Sequence, residues 1–221
     1  MGFSVNTRLI TFGDSWTAGH GIETESHWIE DATPPKFIQK LREQNSWPRW
    51  VSDKLHIPFV NMGVCGFGNE FILKEIETSL KENYLNSDDI VIVVFSYPYR
   101  YRTKNEYTPH DVLQKIHNLL KNHTHFLFNG FYPLLNDEEF DSETLPTTFI
   151  SHETSLADIL KEYEIQNNKS VWELDKRSVW NDTQNFWEGD YHPNLLGYKI
   201  IAEYIYSEIK NKINAQTIIT P

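Results

Sequence analysis

The stretch Leu9-Ile10-Thr11-Phe12-Gly13-Asp14-Ser15-Trp16-Thr17-Ala18-Gly19 decides the fold. Its first four residues form a short run dominated by apolar side chains, and a run of that length bounded by turn residues reads as a buried strand. Gly13-Asp14-Ser15 ends it. A serine on a glycine-started turn just past a strand is where a hydroxyl can be held clear of a sheet as a nucleophile. The same tripeptide also fits a plain strand end followed by a helix cap, because Asp and Ser are both good N-caps. On its own it leaves both readings open.

The choice turns on the other end of the chain, at Asp190-Tyr191-His192-Pro193-Asn194. A serine hydroxyl is a poor nucleophile at neutral pH. It needs a base to take its proton, and a carboxylate to hold that base in the right tautomer. Asp190 and His192 are two apart, so in an extended segment they point the same way. Pro193 keeps a helix from starting before the histidine. Beyond it, 195–212 reads as an amphipathic helix with Leu196, Ile200, Ile201, Tyr204, Ile205 and Ile209 on one face. His192 is therefore expected on a loop at a helix entry. The bland reading is an ordinary Asp/His loop with Asn194 as N-cap.

Between these ends, apolar runs alternate with helical patterns. Strands are expected at 9–12, 59–62, 90–95 and 125–129, with a weaker one at 170–174. Helices are expected near 48–55, 69–85, 109–121 and 154–164, the third capped by Thr108 with Pro109 at its first position. This alternation predicts βαβ units and a three-layer α/β/α sandwich around a mostly parallel, five-stranded sheet. Sites in such sheets form at the carboxyl ends of strands. Ser15, Gly66 and residues 96–100 all follow strands, which places them on one rim. Two stretches, 20–47 and 133–150, exceed the minimal pattern and read as loop insertions in a single domain spanning 1–221.

Composition narrows the function classes. The chain has 221 residues, 39% hydrophobic and 14% aromatic, enough for a sizeable core. A net charge of −11 leaves no general footprint for nucleic acid or an anionic membrane surface. Residues 1–8 lack the basic start and apolar stretch of a signal peptide, and no segment approaches the ~18 apolar residues of a membrane span. A cytoplasmic protein without membrane insertion is the expectation. The one cysteine, Cys65, reads as a small buried filler. His110, His117, His123 and His125 show no metal-ligand spacing and read as surface or helix-end residues. Asp14 and Asn61 read as residues that hold their own turns.

The chain resembles the SGNH hydrolases, the GDSL-type esterases and lipases. The first block is matched by 12–19, the second by Val60-Asn61-Met62-Gly63-Val64-Cys65-Gly66, and the last by Asp190-Tyr191-His192-Pro193-Asn194 with Gly197 behind it. The three are in the family's order and span nearly the whole chain. Two departures mark a divergent branch. Many members place the aspartate three residues before the histidine, where this chain has Gly189; Asp190 is two before. The third block usually ends in Gly-x-Asn-Asp, whose Asn donates to the oxyanion, but here the third strand runs into Ser96-Tyr97-Pro98-Tyr99-Arg100.

The resemblance implies a flavodoxin-like SGNH fold and a Ser15–His192–Asp190 triad that needs no cofactor and no metal. It implies oxyanion donors at the backbone N–H of Ser15 and Gly66. Asn69 is the side-chain candidate to replace the missing Asn; capping the following helix is its other reading. Tyr97 and Arg100 are substrate-binding candidates at the rim, suited to a sugar or an anionic acyl group, or else plain strand-end packing. The implied reaction is cleavage of small O-acyl esters, with carbohydrate O-deacetylation preferred and a small acylated substrate, such as a saccharide, as partner. O-acyl transfer on the same triad is one alternative, and a binding or virion-surface module with little activity is another.

Overall fold

The computed structural model describes residues 3–20, 36–96, 108–130, 146–150, 154–169, 171–173 and 192–219. In chain order its elements are β1 (Leu9–Phe12), α1 (Ser15–Ala18), α2 (Lys36–Asn45), α3 (Trp47–Leu55), β2 (Phe59–Asn61), α4 (Asn69–Lys81) and β3 (Ile90–Phe95). They continue as α5 (Pro109–Leu120), β4 (Thr124–Asn129), α6 (Leu156–Asn167), β5 (Trp172–Glu173), β6 (His192–Pro193) and α7 (Leu195–Ile219).

β3 is Ile-Val-Ile-Val-Val-Phe, and all six residues are buried. A strand apolar on both faces has to be covered on both, which puts it in the middle of a parallel sheet. It pairs in parallel with β1 on one side and β4 on the other, and β2 pairs in parallel with β1, giving the order β2-β1-β3-β4. The period-2 alternation divides β3 between two cores. Ile90, Ile92 and Val94 pack with side chains of α3, α6 and α7, among them Trp47, Val51, Leu160, Tyr198 and Ile205. Val91, Val93 and Phe95 pack with Ile72, Ile76, Val112 and Ile116 of α4 and α5. The central parallel sheet is thus flanked by helices on both faces. Each fully buried side chain of this size contributes about 1.5–3 kcal/mol.

The sheet differs from expectation in its fifth strand. Among the described residues the central sheet has four strands, and Trp172–Glu173 pairs antiparallel with His192–Pro193 instead. The free edge of β4 is taken by 148–150: Leu127 bridges Phe149 in parallel, donating to the Thr148 carbonyl and accepting from Ile150. Among the described residues the β5–β6 ladder pairs Trp172 with Pro193 and Glu173 with His192. It carries His192 to the start of α7.

Helix ends follow local chemistry. α5 begins with a capping box between Thr108 and Asp111, with Pro109 in its first turn, as expected. α4 stops at Lys81, short of the expected 85. Asn83 takes a left-handed φ of 55°, its N–H bonds the Leu80 carbonyl, and the Tyr84 N–H bonds the Ser79 carbonyl. That double bond pattern is a Schellman stop. α7 runs beyond the expected 212 to Ile219. α2 was not expected: it falls inside the 20–47 stretch and buries only Ile38 and Arg42 among its ten residues, too little for an apolar period to show. No helix of the described residues is long and apolar enough to cross a membrane.

Candidate active site

Ser15 leaves the sheet at the carboxyl end of β1 and opens the four-residue helix α1. Asp14, fully buried, fixes this turn. One carboxylate oxygen accepts the Trp16 N–H at 3.0 Å, as an N-cap, and the other accepts the Ser96 hydroxyl at 2.7 Å. Trp16, 1% exposed, anchors α1 in the core with Trp47 and Tyr198. The serine side chain is left facing the last block of the chain.

His192 arrives there on β6. The Asn194 N–H donates to the Val171 carbonyl at 2.9 Å, and its side-chain oxygen accepts the Gly197 N–H at 3.0 Å, so Asn194 does cap α7. With the chain held on both sides, His192 Nε2 lies 3.0 Å from Ser15 Oγ, and both residues are only 3% exposed. For the hydroxyl to donate to Nε2, the ring proton must sit on Nδ1. That is the tautomer a serine–histidine pair needs.

The second block packs against the first, backbone to backbone. Asn61 donates from Nδ2 to the Thr17 carbonyl at 2.7 Å, while its Oδ1 accepts the Gly63 N–H at 2.9 Å and the Thr11 hydroxyl at 3.2 Å. Asp14 and Asn61 therefore hold turns, as their sequence setting indicates. The approach is so close that a Cβ on Gly63 would lie 2.5 Å from the Ala18 nitrogen. Gly66 is different. Among the described residues a Cβ there would meet nothing within 4 Å, but its φ of +84° is one that side-chain-bearing residues rarely adopt. Glycine is required by the turn, and no described residue fills the space beside it.

Where the SGNH hydrolases usually place an asparagine after the third strand, Ser96 takes part in a reciprocal clamp. Its N–H donates to Asn69 Oδ1 at 2.7 Å, and Asn69 Nδ2 donates to its carbonyl at 3.1 Å. With the Ser96–Asp14 bond, this ties the exit of β3 to the first block and to the start of α4. The capping reading of Asn69 is corrected: Gly68 is the N-cap, and Asn69 is the first residue inside the helix. One Nδ2 hydrogen goes to Ser96, and an amide nitrogen carries a second.

Two residues at the site take roles that the sequence does not show. Ser96 is placed on the rim, but its clamp with Asn69 and Asp14 is not legible there. His20 follows the left-handed Gly19, and its ring lies 4.4 Å from that of His192, tilted by 56°. Asp190, Tyr97 and Arg100 lie outside the described residues. Two further expectations are corrected. Cys65 is half-buried, not a core filler; its Sγ is 3.5 Å from Arg42 Nη1, beside a cleft of about 450 Å³ shared with Gln39 and Asn61. His117 and His125 form a pair, with Nδ1 of the first 2.9 Å from Nε2 of the second, and His125 is buried.

No protein-family model matches the sequence, and no curated protein does. Solved structures match its shape. A lipolytic protein of the G-D-S-L family from Veillonella parvula is 13% identical with a TM-score of 0.51, over 91% of this chain and 97% of that one. The chain shares the α/β fold of that G-D-S-L family protein. LAE5, an alpha/beta hydrolase enzyme from the metagenome of Lake Arreo in Spain, is 13% identical with a TM-score of 0.53, over 94% of this chain and 97% of that one. A variant of Axe2, an acetyl xylan esterase from Geobacillus stearothermophilus, is 14% identical with a TM-score of 0.51, over 95% and 97%. Where the G-D-S-L name has leucine, this chain has Trp16, whose ring is buried in the core.

Proposed function

We propose that the chain is a serine hydrolase of small O-acyl esters, with acetylated saccharides as its preferred substrate class. The observation that carries this reading is the 3.0 Å contact between Ser15 Oγ and His192 Nε2, buried at the carboxyl edge of a parallel sheet. In the proposed reaction Ser15 Oγ attacks the ester carbonyl as its proton passes to Nε2. The imidazolium then gives that proton to the leaving alcohol, and water releases the acid from the acyl-enzyme by the same steps in reverse order. Asp190 is assigned to Nδ1 of His192, which it orients and stabilises as imidazolium.

The tetrahedral oxyanion needs donors already in place. The backbone N–H groups of Ser15 and Gly66 are assigned this role, with the second Nδ2 hydrogen of Asn69 as the side-chain donor. Tyr97 and Arg100 are assigned to the substrate rim. The saccharide preference draws on the fold shared with an acetyl xylan esterase and on the polar, aromatic composition of residues 97–102. Labelling with a fluorophosphonate probe, followed by peptide mapping, tests the reading. Modification at Ser15 supports it, and a folded protein left unlabelled refutes it. Acetate release from acetylated xylan oligosaccharides, compared with a p-nitrophenyl ester of a longer acid, tests the substrate class.

A further inference from the structure

We infer that His20 is a positioning residue for His192, its ring serving as a wall that keeps the base aligned with Ser15. The inference rests on the serine-hydrolase reading for its kinetic consequence, but not for the geometry that motivates it.

Gly19 takes a φ of 82° and turns the chain back at the end of α1. The His20 N–H then donates to the carbonyl of Ser15 at 2.9 Å, so its backbone is tied to the nucleophile's own residue. Its carbonyl accepts the Tyr198 hydroxyl at 2.6 Å. Tyr198 is fully buried on α7, the helix that follows His192 directly. His20 is therefore pinned between the element that carries the nucleophile and the element that carries the base. This leaves its ring against His192 at 4.4 Å between centroids.

A wall is needed because of how a histidine moves. The terminal torsion of an imidazole is broad, without the sharp staggered wells of an aliphatic chain. A carboxylate on Nδ1 fixes one edge of the ring but lets the plane swing about that bond. In this reaction Nε2 has to stay on Ser15 Oγ and then reach the leaving oxygen with a small rotation. Misplacement by about 1 Å can cost ~10²-fold in rate. A second ring packed against His192 removes that swing. The function belongs to the flat ring and not to its titration, so phenylalanine can replace it and alanine cannot.

The test compares H20A and H20F in the full chain. Neither change touches the Tyr198 bond, which is to the backbone, and thermal unfolding reports on the fold of each. H20A is expected to lose about 10- to 100-fold in kcat with KM little changed, and H20F to recover to within about 3-fold of the parent. An H20A variant with full kcat, or an H20F variant as slow as H20A, would overturn the assignment. NMR of the histidine rings decides the point without turnover. Contacts between the His20 and His192 ring protons are expected in the parent, with His192 ring averaging appearing in H20A and suppressed in H20F. A His192 ring equally ordered in all three overturns the wall. Failure of Ser15 to take the fluorophosphonate label refutes the hydrolase reading and leaves this NMR comparison standing.

Discussion

The two ends of the parallel sheet both bury a carboxylate, and they use it differently. At the amino end, Asp89 precedes β3 and grips Arg8, which precedes β1. Arg8 Nε donates to one oxygen at 3.0 Å and Nη2 to the other at 2.6 Å, while the Asn86 N–H adds a bond at 2.8 Å. The bond to Asp89 raises the Arg8 pKa against the opposing effect of burial. At the carboxyl end, Asp14 is as deeply buried and accepts from Trp16 and Ser96. Both carboxylates staple loops to strands. Among the described residues, only at the carboxyl end does the staple stand beside a hydroxyl–imidazole pair and a left-handed glycine whose side no described residue fills. Buried polarity alone does not mark a site. What sets the carboxyl end apart is a buried hydroxyl–imidazole pair that the neighbouring staples hold in place.

The sharpest way to break this contrast is at the pair itself. Ser15→Ala is expected to lower hydrolysis of a short p-nitrophenyl ester by about four orders of magnitude or more, as removing a triad nucleophile does elsewhere. Its melting temperature should match that of the parent, because the turn is held by Asp14 and not by the hydroxyl. A well-folded Ser15→Ala protein with normal kcat would remove the distinction between the two ends.

Next in size is Asn69→Ala. If the second Nδ2 hydrogen serves the oxyanion, kcat should fall by ~10²–10³ with little change in KM. The variant also breaks the clamp on Ser96, so a loss of about 1–3 kcal/mol in stability should accompany it. Kinetics and melting measured together separate the roles. A destabilised protein with normal kcat would leave Asn69 as a staple only and give the oxyanion to the backbone donors.

How much of this was legible beforehand varies with the kind of signal. β1, β3 and β4 announce themselves because buried parallel strands leave continuous apolar runs. Thr108-Pro109 marks the start of α5 because cap chemistry is local. The Ser15–His192 pairing was legible because both lie in short motifs whose residue types suit one reaction. By contrast, α2 is mostly polar and β6 is two residues long, so neither leaves a period, while β5 lies inside the weak run at 170–174 but its antiparallel pairing with β6 left no signal. Ser96 and His20 gain their roles from neighbours distant in sequence. Asn69 shows the middle case: the residue was singled out, but its bond to Ser96 depends on how α4 meets β3.

A smaller effect separates the two staples. Asp14→Ala and Asp89→Ala should each cost about 2–3 kcal/mol, by stranding a buried hydroxyl in the first case and loosening an ion pair in the second. Arg8 keeps 26% of its side chain exposed and can turn to water, which holds the second figure below that of a fully buried pair. Their effects on rate should diverge: Asp14→Ala slows hydrolysis and Asp89→Ala leaves kcat near normal. Equal losses of kcat at matched stability would show that the ends are not independent.

The smallest expected effect lies at the amino end, in the His117–His125 pair. His125 Nδ1 faces the His123 carbonyl at 2.9 Å and must donate to it, so its Nε2 accepts from His117 Nδ1, with the Thr148 hydroxyl 3.2–3.3 Å from both rings. The arrangement needs the His125 ring neutral, because its Nε2 accepts, whereas His117 donates from Nδ1 in either protonation state. Burial lowers the pKa of each, and for His125 the carbonyl bond opposes that shift while the neighbouring His117 and His123 add to it. A histidine with a lowered folded pKa contributes stability that is complete above the unfolded value, about 6.5. That contribution is lost as pH falls below it toward the folded value, because the unfolded chain then binds protons the folded one refuses. The melting temperature should therefore fall between pH 7 and pH 5, and fall less steeply in His117→Gln, which removes one titrating ring and leaves the Ser15 end untouched. Melting curves at four or five pH values on both proteins make the comparison. Parallel slopes would show that the pair does not couple to folding, and that acid sensitivity arises elsewhere in the chain.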